Sequence, residues 1–305
     1  MDRVSVVIPT FNRPAGLRRA IESVAKQSGL ADAGIELIVV DNSPQGNAAG
    51  ALADISYPLR LLHEPRPGVA NARNAGVRAA TGAWIAFLDD DEEASDCWLA
   101  ELLAAAKDAG ADAAFGPVVA RAEEGAIEPF EKYFSRALDK GAGADITDRA
   151  AYLGTNNSLF SKERCLAAAT PFNPGLNETG GEDSLLLKQL VLDGRRFAWA
   201  PEALVIEWTS TRRLNWAYIC KRKFLSGQIR VFVLRMVEPP QWRGVAFWMC
   251  VGLAQTVIGA SAALALTPFG GARAARARVL LNAGLGKLFW GRRFRPLLYG
   301  PGHIS

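Results

Sequence analysis

Trp84-Ile85-Ala86-Phe87-Leu88 runs directly into Asp89-Asp90-Asp91. Five apolar residues followed by three carboxylates read as a buried strand whose carboxyl end enters solvent carrying concentrated negative charge. On its N-terminal side, Val4–Ile8 is a β-branched run, and Asn12-Arg13-Pro14 offers a cap with proline near the first helical turn. Leu17, Ile21 and Val24 then recur at helical spacing, with Gly29 placed to end the helix. A second strand reads from Ile35 to Val40 and stops at the turn cluster Asp41-Asn42-Ser43-Pro44. Leu59–Leu62 reads as a third strand, and Val69–Ala80 as a short helix closed near Gly82. On the C-terminal side, Ser95 is placed to cap a helix bearing Trp98, Leu99, Leu102 and Leu103, which Gly110 ends. Short buried strands alternating with amphipathic helices predict an α/β fold. Its sheet is mixed but mainly parallel, flanked by helices, with ligands at the carboxyl ends of the strands, where Asp41 and Asp89–Asp91 lie.

Beyond residue 112 the pattern loosens. Strands are expected near Ala114–Val119, Leu153–Phe160 and Phe197–Ile206, with one well-defined helix at Glu182–Leu192. The charge is divided sharply: up to Glu207 there are 20 Lys and Arg against 30 Asp and Glu, whereas Trp208–Ser305 holds 15 basic residues and only Glu238. A basic region of that kind faces an anionic partner. It lacks zinc-finger spacing and an RNA-binding aromatic signature, which argues against nucleic acid, and a long apolar stretch interrupts it. Val245–Leu266 is 22 residues without a charge, enough to cross a bilayer core. The shorter run Val279–Trp290 contains Asn282 and Lys287 and is flanked by Arg273, Arg276, Arg278, Arg292, Arg293 and Arg295, the pattern of an interfacial segment. A single span would put those arginines across the membrane from the rest of the chain. A re-entrant hairpin or in-plane helix keeps both basic regions on one side and agrees with the positive-inside bias; a buried soluble helix is the remaining alternative. Cys97, Cys165, Cys220 and Cys250 are scattered without C-x-x-C pairing, which points to a reducing compartment, and Val4–Ile8 is too short for a signal-peptide core.

Crowded carboxylates repel one another unless a cation joins them. Mg²⁺ and Mn²⁺ prefer oxygen ligands, and Mg²⁺ commonly takes one or two carboxylates while leaving positions for phosphates. The alternative is a solvated acidic loop continuing through Glu92 and Glu93. Other motifs favour the first reading: V-S-V-V-I-P-T-F-N-R at 4–13, V-V-D-N-S at 39–43, G-V-A-N-A-R-N-A-G at 68–76, F-L-D-D-D at 87–91 and G-G-E-D at 180–183. In this order, the set resembles the family 2 glycosyltransferases of GT-A (Rossmann-like) fold, in particular those of bacterial exopolysaccharide synthesis. The match covers about the first 210 residues.

That resemblance implies an enzyme moving one sugar from a nucleotide diphosphate, UDP foremost, to a lipid-linked glycan, polyprenyl-borne or other, at the cytoplasmic face of the plasma membrane. It implies a catalytic domain over 1–210, with nucleotide-sugar binding over about 1–112 and the acceptor part over about 113–210. Basic juxtamembrane helices would follow over 211–241 and a membrane anchor over 242–305. Pro9, Thr10 and Asn12 would line the nucleotide site, Asp41 would meet base or ribose, and Arg73 base or pyrophosphate through its planar fork. Asp89 would meet ribose or donor-sugar hydroxyls beside Asp90, and Asp91 would ligate a divalent metal. Asn156, Asn157 and Glu182 would contact donor sugar or acceptor. Asp183 would be the base, projecting with Glu182 from the first helical turn after Gly180-Gly181. Single displacement with Asp183 as base inverts the anomeric centre. Where many relatives carry a metal-binding histidine, this chain has Glu207 in V-I-E-W; it either ligates the hard cation or pairs with Arg212 or Arg213. Arg212, Arg213, Lys221, Arg222 and Lys223 would meet anionic lipid or the acceptor pyrophosphate. The competing readings are nucleotidyl transfer, for which 11–14 lacks the Gly-rich basic loop, and a non-catalytic membrane scaffold.

Overall fold

The structure, a computed structural model, describes residues 3–30 and 34–294. The first half runs β1 (Val4–Thr10), α1 (Pro14–Ala25), β2 (Ile35–Asp41), α2 (Ala48–Ala51), β3 (Leu59–His63), α3 (Val69–Ala79), β4 (Trp84–Phe87), β5 (Glu92–Ala94) and α4 (Trp98–Asp108). The second half adds β6 (Ala113–Phe115), β7 (Val118–Ala122), β8 (Ser158–Ser161), α5 (Lys162–Cys165), α6 (Glu182–Leu192), β9 (Phe197–Trp199) and β10 (Val205–Thr209), followed by α7 (Trp216–Met236), α8 (Trp242–Leu266) and α9 (Gly271–Leu288).

Seven strands form one sheet in the order β3-β2-β1-β4-β8-β6-β9. Its β1, β2, β3 and β4 are parallel, β8 is antiparallel to both neighbours, and β9 is parallel to β6. Strand alternation divides the core between the two faces. Val6, Ile8, Leu37 and Val39 pack with Leu17 and Ile21 of α1 and Trp98 and Leu102 of α4. On the other face Val7, Ile38 and Val40 join Val77 of α3 and Leu187 of α6, with Phe87, Phe115, Phe160 and Phe172 meeting edge-to-face. The mainly parallel α/β sheet flanked by helices is therefore present.

The differences from expectation have local causes. Ala114–Val119 is not one strand: Pro117, which has no N–H to donate, separates β6 from β7, and β7 enters a second sheet, β5-β10-β7. Leu153–Phe160 is strand only from Ser158, because Asn157 takes a left-handed backbone, φ 53°. Phe197–Ile206 divides into β9 and β10 around a turn at 200–204. Glu92 and Glu93, which the alternative reading placed in a solvated acidic loop, belong to β5, pairing antiparallel with β10 so that Glu92 opposes Glu207. Pro14 does open α1, but Asn12 does not cap it; φ of Asn12 is 56° and its Oδ1 accepts from Asn47 Nδ2 at 2.8 Å. Nor does the Ser95 side chain cap α4.

The C-terminal helices form one packed unit. After the turn at 267–270, α9 runs back along α8 and also crosses α7. Small residues permit these contacts: a Cβ on Gly286 would collide with the Phe224 carbonyl of α7, and one on Gly252 would meet the backbone of Gly284. Within α8 an 18-residue stretch has a mean hydropathy of 1.8 and is only 17% buried, so the helix is long and apolar enough to cross a membrane. Phe247, Leu253, Val257, Ile258 and Leu264 are all exposed.

Candidate active site

The carboxyl ends of β1 and β4, the start of α3, the turn before α6, the end of β10 and one face of α7 enclose a cleft of about 910 Å³. Its acidic floor descends from the quoted stretch. As β4 ends, Asp90 turns inward and accepts from Thr10 Oγ1 at 2.8 Å, Phe11 N at 3.2 Å and Arg13 Nη1 at 3.1 Å. Arg13 Nη1 also reaches Asp91 Oδ2 at 2.6 Å, tying the end of β1 to the loop after β4. From α3, Arg73 donates to Asp89 Oδ1 at 3.1 Å and Glu182 Oε1 at 2.7 Å. Arg213 Nη1 lies 3.3 Å from Asp91 Oδ2 and 4.0 Å from Glu207 Oε1. Behind them, buried Glu92 accepts from Asp89 N at 2.9 Å and Asn156 Nδ2 at 2.8 Å, and Arg136 Nη1 meets Asn156 Oδ1 at 3.3 Å.

Opposite this floor, Gly180 and Gly181 have φ of 71° and 92°, a left-handed turn that lets α6 start abruptly. Glu182 and Asp183 consequently leave the first turn of α6 toward the cleft. Asp183 is half-buried, and its Oδ1 accepts from Ser184 N at 2.6 Å.

The expected residues separate into two groups. Pro9, Thr10, Arg73, Asp89, Asp90, Asp91, Asn156, Glu182, Asp183 and Glu207 all line the one cleft. Asp41 does not: it is 1% exposed, and its two carboxylate oxygens hold Ser43 N at 2.8 Å and Ala48 N at 2.6 Å. It serves the turn and the start of α2, while its neighbour Asn42 reaches the cleft. Asn157 is fully buried, bonded to Trp98 Nε1 and to the carbonyls of Pro117 and Ala203, and Asn12 faces Asn47; neither lines the cleft. Among the residues that sequence reasoning left without a role in the cleft are Asn42, Arg13, Glu92 and Arg136. Arg13 closes the first motif and was available to be read as a partner for the aspartates, whereas nothing in the sequence around Arg136 marks it.

Burial controls the electrostatics. It pushes the carboxyl of Asp90 up to about 7 despite Arg13, and that of Glu182 to about 7 through burial and nearby Asp183, against the pull of Arg73. Glu207 also stands near 7, through burial and Asp91. Glu92 is raised well above the usual range by burial and Asp89. Eight carboxyl groups line the cleft against five arginines, and the four raised by burial offset much of the formal negative excess by holding protons. No three Asp, Glu, His or Cys side chains form a metal centre by themselves among the described residues. The donor set nonetheless fits a hard cation that also binds phosphate. Asp91 and Glu207 lie within 4.0 Å of one guanidinium nitrogen, and the hydrogen bonds on the Asp91 side chain all fall on Oδ2.

The mostly parallel α/β sheet with an acidic cleft at its strand ends is GT-A-like. The chain belongs to glycosyl transferase family 2, whose profile matches residues 5–162. It is 32% identical over 232 residues to the succinoglycan biosynthesis protein ExoM of Rhizobium meliloti, covering 74% of this chain and 73% of that one. It is also 30% identical over 289 residues to the pre-mycofactocin glycosyltransferase of Mycobacterium tuberculosis, covering 90% of this chain but only 57% of that protein's length. Its fold is similar to that of S. aureus TarS 1–349, with a TM-score of 0.52 at 15% identity, covering 93% of this chain and 90% of that one. Membership of that family makes it a glycosyltransferase, one that resembles those of bacterial exopolysaccharide synthesis.

Proposed function

We propose that this chain is an inverting, metal-dependent glycosyltransferase that moves one sugar from a UDP-sugar to a lipid-linked glycan. We further propose that it works at the cytoplasmic membrane face, in assembly of an exopolysaccharide or related envelope polymer. The observation that carries this reading is the convergence of Asp91, Glu207, Arg73 and Asp183 on one cleft. In it Asp183 takes the proton of the acceptor hydroxyl as that oxygen attacks the anomeric carbon. The bond from that carbon to the diphosphate breaks on the opposite face, the nucleoside diphosphate departs with the bonding pair, and the configuration inverts. Arg73, and Arg13 or Arg213 when turned from the aspartates, offer planar donors to the diphosphate. A divalent cation, when bound, would be held by Asp91 and Glu207 and would neutralise charge on the leaving group.

Membrane attachment is supported by the exposed apolar face of α8 and by the return of α9 along it, which suits a hairpin anchor better than a single span. The catalytic region is taken as 1–210 and the anchor as 242–305, with 211–241 between them; α7, in that middle segment, supplies Tyr218, Arg222, Leu225, Ser226 and Ile229 to the cleft. The test is product analysis with a panel of UDP-, GDP- and dTDP-sugars, Mn²⁺ and membrane lipid acceptor. Transfer from a UDP-sugar with inverted linkage is expected; neither nucleotide binding nor turnover with any donor would reject the proposal.

A further inference from the structure

Along α7, positions 222, 223, 226, 229 and 230 fall on one face of the helix. Toward the sugar-transfer side that face meets the cleft through Arg222, Ser226 and Ile229. Arg222 is accounted for there, since Glu207 lies within its electrostatic reach and the Phe134 ring is 4.6 Å away. Lys223 and Arg230 are different. The Arg230 guanidinium stacks 4.6 Å from the ring of Tyr152 at the cleft wall and 5.0 Å from that of Trp248 on α8. The Lys223 ammonium stands 5.6 Å from the ring of Tyr133. On α9, buried Lys287 approaches the same Trp248 ring at 5.9 Å and donates to Gln255 Oε1 at 2.9 Å. Among the described residues, no carboxylate forms an ion pair with any of these three cations.

Half-buried cations held together without counter-charge are unfavourable alone. Burial and repulsion from Arg222 and Arg230 depress the proton affinity of Lys223, and burial also lowers that of Arg230. The arrangement calls for an anion of more than one charge, and its position is specific. Arg230 lies between Tyr152, which belongs to the cleft, and Trp248, which belongs to the long apolar helix. A molecule with its hydrocarbon along α8 and its sugar in the cleft must carry whatever joins the two past this point. We propose that Lys223 and Arg230, backed by Lys287, hold the diphosphate of a lipid-linked acceptor. This deepens the function proposed above, on which the identity of the occupant rests. Tyr152 and Trp248 supply flat walls that fix the Arg230 fork at low entropic cost.

The test uses the full chain in neutral detergent with UDP saturating, so that the nucleotide side of the cleft is filled. A short prenyl diphosphate, the matching prenyl alcohol and short-chain phosphatidylglycerol are titrated against wild type, K223Q/R230Q and R230K. Wild type is expected to bind the diphosphate and not the alcohol. K223Q/R230Q should bind it at least tenfold more weakly, and R230K, which keeps the charge but loses the stacked planar fork, should fall between the two; an unchanged melting temperature in all three reports on folding. Equal diphosphate binding by wild type and K223Q/R230Q overturns the site. Equal binding of phosphatidylglycerol and the diphosphate by wild type overturns the acceptor as its occupant, in favour of a general lipid headgroup. A preliminary titration of UDP, GDP and dTDP with Mn²⁺ reads the functional proposal separately: a wild type that binds none of them sinks that proposal, while the diphosphate titration still decides whether the cation site exists.

Discussion

Replacing Arg73 by methionine tests whether the cleft is held by charge pairing across it. The guanidinium spans Glu182 at 2.7 Å and Asp89 at 3.1 Å; the Arg73 and Glu182 side chains are each 6% exposed and Asp89 is 30% exposed. In R73M, Asp89 can recover water, but Glu182 is left as an unpaired buried charge, an imbalance that costs about 3–5 kcal/mol. The loss should depend on pH. With Arg73 present the Glu182 carboxyl already sits near 7 against an ordinary 4.5, and removing the opposing cation raises it further. For an acid raised in this way the folded state holds the proton more tightly. Its contribution is therefore fully present below about 4.5 and is lost as pH rises through the folded value. The R73M penalty should be largest at pH 8 and shrink toward pH 5. Denaturant midpoints in detergent for wild type, R73M, E182M and R73M/E182M measure this. The double variant should recover much of the loss, because replacing both partners of a buried pair with apolar groups is often close to neutral. A double variant no more stable than R73M, or a penalty unchanged between pH 5 and 8, would refute the reasoning.

Three further outcomes are expected. Asp183→Asn should lower transfer by about 10²–10⁴-fold while leaving UDP affinity intact, since it removes the proton acceptor and not a nucleotide contact; unchanged turnover would place the base elsewhere. Gly286→Ala should cost about 1–3 kcal/mol by driving a methyl group into the backbone of α7, seen as a lower melting temperature. Iodoacetamide at pH 8 should label exposed Cys97 but spare Cys165, which is buried, with burial pushing its thiol up to about 12; mass spectrometry of the folded protein decides.

The parallel half of the sheet was legible because its inner strands β1, β2 and β4 are largely buried and read as unbroken apolar runs, and because Gly110, φ 58°, follows the end of α4 as expected, although α1 ends at Ala25, short of Gly29. Most of the cleft was legible for a related reason: parallel strands bring their carboxyl ends to one edge, so acids placed after β4 must meet residues placed after β1. What escaped was set by hydrogen-bond partners, near or distant in sequence, that periodicity does not mark. Asp41 stands at a strand end as expected, but its oxygens are taken by amides only two and seven residues away. Asn157 is surrounded by carbonyls from the 117 and 203 loops, and no local pattern could announce that meeting. Arg136 enters the cleft from a stretch with little regular structure, where periodicity carries no signal.

One consequence follows from the double service of α7, which supplies side chains to the cleft and carries the packed hairpin on its other side. If the chain acts as proposed, the point of sugar transfer is braced at a set height above whatever α8 rests upon, like a tool on a fixed stand. An acceptor whose terminal hydroxyl lay too close to that surface, or too far out, would not present it to Asp183, and the chain would then gauge the reach of its substrate as well as its chemistry.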